Sequence, residues 1–188
     1  MKGKHIDAEK GVVSLEACVL VPFFIFLMLF LYGIIIMFMG QQMMSHSLIQ
    51  SAESLSLDPY STERLSLDVI DNAGDLFQSL YANLFTSGDN NFSSTDKWYS
   101  GGSAGMEDTI KDRFIGFLTG GDDTKAESLL NQVGVKGGIE AIDFSGCTVE
   151  GNVLTLTINY KQDFIFNFQG LASFDRSMSV KVNMWGLN

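Results

Sequence analysis

The residues with the sharpest chemical logic lie near the start of the chain, in Lys10-Gly11-Val12-Val13-Ser14-Leu15-Glu16. Glu16 is a lone carboxylate at the lip of a long apolar run, and Gly11, five residues earlier, closes a short leader that carries Lys2, Lys4 and Lys10. Placing an acidic side chain at mid-membrane costs roughly 2.5–3.5 kcal/mol, less near the edge, so a carboxylate kept there is a functional candidate. If a peptidase cut after Gly11, Val12 would carry a new α-ammonium about one helical turn from Glu16. Pairing of that cation with Glu16, in the same chain or a neighbouring one, would relieve the burial cost and set the register of parallel helices. The plainer role of Glu16 is that of an anion at a helix N-terminus, where the helix dipole favours it. The residues alone leave both roles open.

Other constellations carry less. His5 lies in the leader and His46 just beyond the apolar run, so a Ser/His/Asp or Cys/His site in the remainder of the chain has no histidine to draw on. Gly120-Gly121-Asp122-Asp123 bears a faint likeness to a cyclic-dinucleotide synthase signature, but its flanks do not fit, and a capped loop explains it. Asp89-Asn90-Asn91 lacks the glycine and the bidentate glutamate of a calcium-binding EF-hand loop. Cys18 sits within the apolar run and Cys147 far outside it, so they form neither an intramolecular disulfide nor a metal site. Leu15-Glu16-Ala17-Cys18 has the look of a lipoprotein box, but such a box follows an apolar core, and here the core comes after the cysteine. With no convergent titratable set, the expectation is a protein without catalytic activity, cofactor or metal.

The element that must position Glu16 is the apolar run. Residues 17–40 contain no charged side chain. A transmembrane helix needs about 20 such residues, whereas a cleaved secretory signal has a core of roughly 7–15. The run therefore reads as a single membrane span. Lysines flank only its N-terminal side, and the first basic residue beyond it is Arg64. That asymmetry puts the N-terminus in the cytoplasm and the bulk of the chain outside. The formal net charge is −10, and 19 of the 22 acidic residues lie beyond Gly40 with nine of the 12 basic ones. An acidic exterior argues against nucleic-acid binding and reads as a solubility feature.

Beyond the span the helical pattern continues to Leu57, where Asp58-Pro59 is the first strong breaker. Met44, Leu48, Ala52 and Leu55 recur at helical spacing, with Gln41, Ser45, Gln50 and Ser54 largely on other faces. A helix over residues 13–57 would be about 65 Å long, half in lipid and half amphipathic. Pro22 removes one backbone donor inside it, and Gly33 is either a site of close approach or simply a small residue. A second helix is expected over residues 61–85, an exposed loop over 87–105 in which Trp98 and Tyr99 form either a recognition patch or a core anchor, and a third helix over 107–118 with Ile110, Phe114 and Phe117 inward. Gly120-Gly121 should stop that helix, and Thr124 with Glu127 forms a capping-box pattern for a short helix to about Val133. The period then changes to two, in residues 153–160, 164–168 and 178–184, with a Gly151-Asn152 turn after residues 147–150. The expected fold class is α+β: a long N-terminal helix, transmembrane then amphipathic, packed on a head with further helices and a C-terminal antiparallel sheet of about four strands. That sheet is the nearest cover for the Met44–Leu48–Ala52–Leu55 stripe.

A glycine followed at the fifth position by glutamate, heading a long apolar helix, resembles the prepilin-peptidase site of type IV pilin-like proteins. Glu16-Ala17-Cys18-Val19-Leu20-Val21-Pro22 resembles the Glu-Ala-x-x-x-x-Pro opening of TadE-like proteins of tight-adherence (Flp) pilus systems. Ser177-Met178-Ser179-Val180-Lys181-Val182-Asn183-Met184-Trp185-Gly186 is similar to their closing strand and Trp-Gly. The resemblance implies a pilin-like fold and a minor pilin or pseudopilin, cut between Gly11 and Val12 by a prepilin peptidase, with Glu16 serving assembly and register. Its implied partners are the lipid bilayer, other pilin-like subunits and the pilus assembly platform. Major Flp pilins are short and carry Glu-Tyr, whereas this chain has Glu16-Ala17 and a large head, which points away from the main fibre subunit. The implied organisation is a cytoplasmic leader over residues 1–11, a transmembrane helix over 12–40, its extramembrane continuation over 41–57, and an extracytoplasmic head over 58–188. The competing reading is an uncleaved, signal-anchored ectodomain with an adhesion or sensing role.

Overall fold

One helix, α1 (Lys4–Asp68), runs 65 residues, about 98 Å at 1.5 Å per residue. The computed structural model of the chain describes residues 4–68, 97–99, 105–164 and 172–186, with side chains in α1 described from Ala17 to Tyr60. Every residue from Ala17 to Tyr32 is exposed. From Gly33 onward one face is buried, through Met37, Gly40, Met44, Ser47, Leu48, Ser51, Ala52, Ser54 and Leu55. Steps of three and four residues keep this stripe on one side of the helix. Met44, Leu48, Ala52 and Leu55 are fully buried in a core shared with the sheet and the shorter helices, as the sequence pattern requires.

The helix does not stop at Asp58-Pro59. It continues through Pro59 as it does through Pro22, and residues 61–68 belong to α1 instead of opening a second helix. Pro59 cannot donate to the carbonyl four residues back. The surrounding contacts hold the turn: Asp58 is tied to a neighbouring helix, Pro59 is fully buried, and the Trp185 backbone N–H donates to the Ser56 carbonyl at 2.9 Å. The remainder of the expected second helix lies outside the described residues.

α2 (Met106–Thr119) buries Ile110, Arg113, Phe114 and Ile115, while Phe117 is only half-buried. It ends at Gly120, whose φ of 73° lets it cap the last turn in the left-handed conformation. α3 (Asp123–Gln132) is capped two residues earlier than the Thr124 pattern suggests. Asp122 is the N-cap, accepting from the Lys125 N–H at 3.0 Å, and the Thr124 hydroxyl donates to Asp122 at 2.6 Å. A short 3-10 turn (Gly138–Ala141) then leads to the sheet.

The sheet has the order β1 (Thr148–Glu150), β2 (Val153–Asp163), β3 (Ser173–Asn183), all antiparallel. The β2–β3 ladder pairs Val153 with Asn183 at one end and Asp163 with Ser173 at the other. Leu154, Leu156, Ile158, Tyr160 and Gln162 point into the core, alternating with half-buried or exposed residues. Met178, Val180 and Val182 follow the same alternation on β3, half-buried. The sheet has three strands among the described residues; of the expected strand over 164–168, Phe164 lies just past β2 and the rest is outside the described residues. α1 packs on one side against α2 and on another against β2 and β3. The architecture is α+β, with a long helix bare from Ala17 to Tyr32 and packed into the head along one face from Gly33 to Pro59.

Candidate assembly site and the helix–head joint

Gly11, Val12 and Glu16 all lie within α1. Val12 and Glu16 are four residues apart, so they sit on one face about 6 Å apart along the axis. That is the spacing at which an α-ammonium on Val12 and the Glu16 carboxylate meet. Side chains before Ala17 are outside the described residues. The backbone places Gly11 and Val12 on one turn and Glu16 on the next, just ahead of the bare apolar segment.

The chain carries one N-terminal helix long and apolar enough to span a membrane, with a mean hydropathy of 2.9 in its best window. Val19, Leu20, Phe23, Phe24, Phe26 and Met28 are all more than half exposed, and no other part of the described chain covers them. Twenty-one residues separate the expected new N-terminus at Val12 from Tyr32, the last residue before the head begins to cover the helix. That length is about 31 Å, close to the hydrocarbon thickness of a bilayer.

The joint between helix and head starts inside the apolar run. The Phe164 ring lies against Gly33, so close that a Cβ there would be 2.5 Å from Cζ, and it stacks at 5.5 Å on Phe30. Gly33 is therefore more than a harmless small residue, and the group that approaches it is the Phe164 ring of the head, not another helix. Two turns higher, Gly40 faces Val133 and the Gln162 amide, where an added Cβ would meet them at 2.9 and 2.8 Å. Gln162 is fully buried on β2 and donates to the carbonyls of Met37 at 3.2 Å and Val133 at 2.9 Å. One side chain thus ties the helix, the end of α3 and the sheet together.

At the far end of the buried stripe lies a polar cluster. Arg113 of α2, only 2% exposed, donates from Nη2 to Asp58 at 3.0 Å and from Nη1 to the Ser54 hydroxyl at 2.5 Å. The Trp98 indole N–H donates to the same Asp58 oxygen at 3.0 Å. Ser54 is consequently buried, although the helical pattern placed it off the stripe. Trp98 and Tyr99 are buried against this cluster, which makes them a core anchor. The signal for the cluster was present in the sequence: Arg113 stands three residues after Ile110, on the apolar face of its helix.

Elsewhere the described surface offers little chemistry. Cys147 is buried, its Sγ 3.4 Å from both the N–H and the carbonyl of Thr157, and burial pushes its thiol above the ordinary value. A buried thiol held protonated is a poor nucleophile. A shallow hollow of about 380 Å³ lies between α2 and the 3-10 turn, edged by Glu107, Asp108, Glu140 and Asp143 and spanned by the Lys111–Glu140 ion pair at 2.5 Å. Among the described residues no group of three His, Cys, Asp or Glu side chains gathers to hold a metal. Comparison with protein-family models, with curated proteins and with solved structures gives no match.

Proposed function

We propose that this protein is a membrane-anchored, TadE-like minor pilin or pseudopilin, a structural component of a tight-adherence pilus or secretion assembly. The observation that carries the reading is the continuity of α1: one helix leads from the Gly11–Glu16 motif, through the bare apolar segment Ala17–Tyr32, into the core of an α+β head. A protein that only needed an anchor could join it to its ectodomain by a flexible linker. Here the anchor and the central element of the head are the same helix, which suits a subunit that must hold its head at a fixed height and orientation among parallel neighbours.

In this reading the N-terminus lies in the cytoplasm and the head outside, in keeping with the lysines of the leader. A prepilin peptidase removes residues 1–11, and Glu16 pairs with an α-ammonium at Val12 of its own or an adjacent subunit. The partners are other pilin-like subunits and the assembly platform. The test is direct. Mass spectrometry of the full-length protein co-expressed with its prepilin peptidase should show Val12 as the N-terminus, and Gly11→Leu should block the cut. An intact Met1 or Lys2 terminus under those conditions overturns the reading in favour of an uncleaved anchor.

A further inference from the structure

We propose that the underside of the head is itself a membrane-contact surface, seated in the outer leaflet with Phe164 and Phe174 among the lipid and Lys136, Lys161 and Arg176 at the phosphates. The proposal rests on the reading of α1 as a membrane span and commits to phospholipid as the occupant.

The helix serves as a depth ruler. If Glu16 is held at the inner edge of the hydrocarbon, where a carboxylate costs least, a core of about 30 Å reaches Ile35 or Ile36. The headgroup layer adds about 5–8 Å, ending near Gly40. The lower part of the head overlaps this interval. Phe164 lies beside Phe30 and Gly33, below the outer hydrocarbon edge. Phe174 pairs across the strands with Gln162, whose amide reaches the Met37 carbonyl, so it stands at headgroup level. Arg176, two residues on, reaches Gln41: the Gln41 amide oxygen, in the orientation that satisfies both side chains, accepts from Nη2 at 2.9 Å and Nε at 3.0 Å.

The uncovered face of the helix at the same height agrees. Ile35, Phe38 and Met39 are 55%, 61% and 62% exposed, and Phe174 on the head is 46% exposed. A bilayer ending below the head would leave this apolar belt in water. A bilayer rising to Gly40 covers it together with the head's lower rim.

Charge points the same way. The chain carries a net −10, yet three of its basic residues gather on this rim, with Lys136 and Lys161 each 73% exposed. Lys136 pairs with Asp163 at 3.0 Å and Lys161 with Asp175 at 3.8 Å, while Arg176 bonds to the uncharged Gln41, so these named groups are three cations and two carboxylates. An acidic head would be repelled by lipid phosphates; a rim with its charge balanced toward positive is not. The Arg176 guanidinium also lies 5.7 Å over the Phe174 ring, an aromatic body with a cationic tip, the pairing suited to an interface.

The experiment uses the full chain in phosphatidylcholine vesicles containing about 30% phosphatidylglycerol, quenched in separate samples by lipids brominated near the headgroup end of the acyl chain, which read position 174, and by lipids brominated near the terminal methyl, which read position 26. Phe174→Trp adds one indole at the rim, and Phe26→Trp adds one in the span. The added emission of Phe174→Trp should fall by about half or more, as expected of an aromatic at the interface, while the native Trp98 and Trp185 emission is unchanged. Quenching of Phe26→Trp without Phe174→Trp overturns the seating but leaves the span intact. Quenching of neither removes the span reading and the proposal with it. Replacing Lys136, Lys161 and Arg176 together by Gln should reduce quenching at position 174; unchanged quenching overturns the role assigned to the three cations.

Discussion

Asp58 is the point at which the continuous helix is locked to the head, and removing its carboxylate tests that lock. In Asp58→Ala the Arg113 guanidinium, 2% exposed, loses the Asp58 carboxylate beside it, and Trp98 loses the same acceptor. Breaking a buried ion pair from one side costs about 3–5 kcal/mol, and an orphaned indole N–H about 1–3 kcal/mol. The Asp58 side chain is 12% exposed, so water can enter the vacated space and the lower end, about 3 kcal/mol, is the working figure. That corresponds to a factor of about 160 in the unfolding constant, or a fall of about 1.5 M in the urea midpoint for a slope near 2 kcal/mol/M. The assay is urea unfolding of the full chain in detergent micelles, followed by indole emission and by circular dichroism. Arg113→Met alone should cost less than Asp58→Ala, because it leaves a partly exposed carboxylate. The double variant Asp58→Leu/Arg113→Met should recover much of the loss, giving a coupling energy of at least about 2 kcal/mol. Additive single effects, or a loss below about 1 kcal/mol in Asp58→Ala, would refute the argument that this pair holds the helix through Pro59.

Three further outcomes follow from the packing. Leu48→Asp puts a charge at a fully buried position and should abolish cooperative melting of the head, whereas Gln50→Asp, half-buried on another face, should change stability by no more than about 0.5 kcal/mol. Gly40→Ala should lower the melting temperature more than Gly33→Ala: at Gly40 the new methyl meets Val133 and the hydrogen-bonded Gln162 amide, a cost of about 1–3 kcal/mol, while at Gly33 it meets only the far end of the Phe164 ring, which can swing aside. Glu16→Gln should leave insertion and head folding intact yet reduce co-purification with partner pilin-like subunits; unchanged assembly would reduce Glu16 to a dipole-compensating residue.

The sequence made the periodic features legible because they depend on burial alone. The stripe from Met44 to Leu55 and the alternation from Leu154 to Tyr160 each face the core as their spacing requires. Features decided by tertiary partners were misread. Asp58-Pro59 is a helix breaker by local rules, but Asp58 is fixed by Arg113 and Trp98 and Pro59 is buried, so the helix passes through. Ser54 looked like a solvent-facing residue until Arg113 arrived from 59 residues away. The cap of α3 went to Asp122 over Thr124, since a carboxylate at that position accepts from both the Lys125 N–H and the Thr124 hydroxyl. The hydrogen bond from Thr124, then those from Lys125, hold the Asp122 carboxyl well below the usual range. Gly11, Val12 and Glu16 were legible only as residue types at a spacing, and the fold adds to them a helical backbone and a measured distance to the head.

That distance has a mechanical consequence. About 58 Å of helix separates Glu16 from Leu55, and α1 runs through both of its prolines without a break. Gly33 and Gly40 bring the head against the helix at two levels, and Gln162 bonds to the helix backbone between them, so the head can neither slide along α1 nor turn around it without breaking that contact. In an assembly of parallel copies, a choice of partner at Glu16 is therefore also a choice of height and facing for the head. Pairing one turn out of register would displace the whole head by about 5.4 Å and carry Phe164 and Phe174 with it, out of the lipid or further in. Under the proposed orientation and pairing, the Glu16 carboxylate at one face of the membrane would set the arrangement of the heads at the other, because α1 is continuous between them.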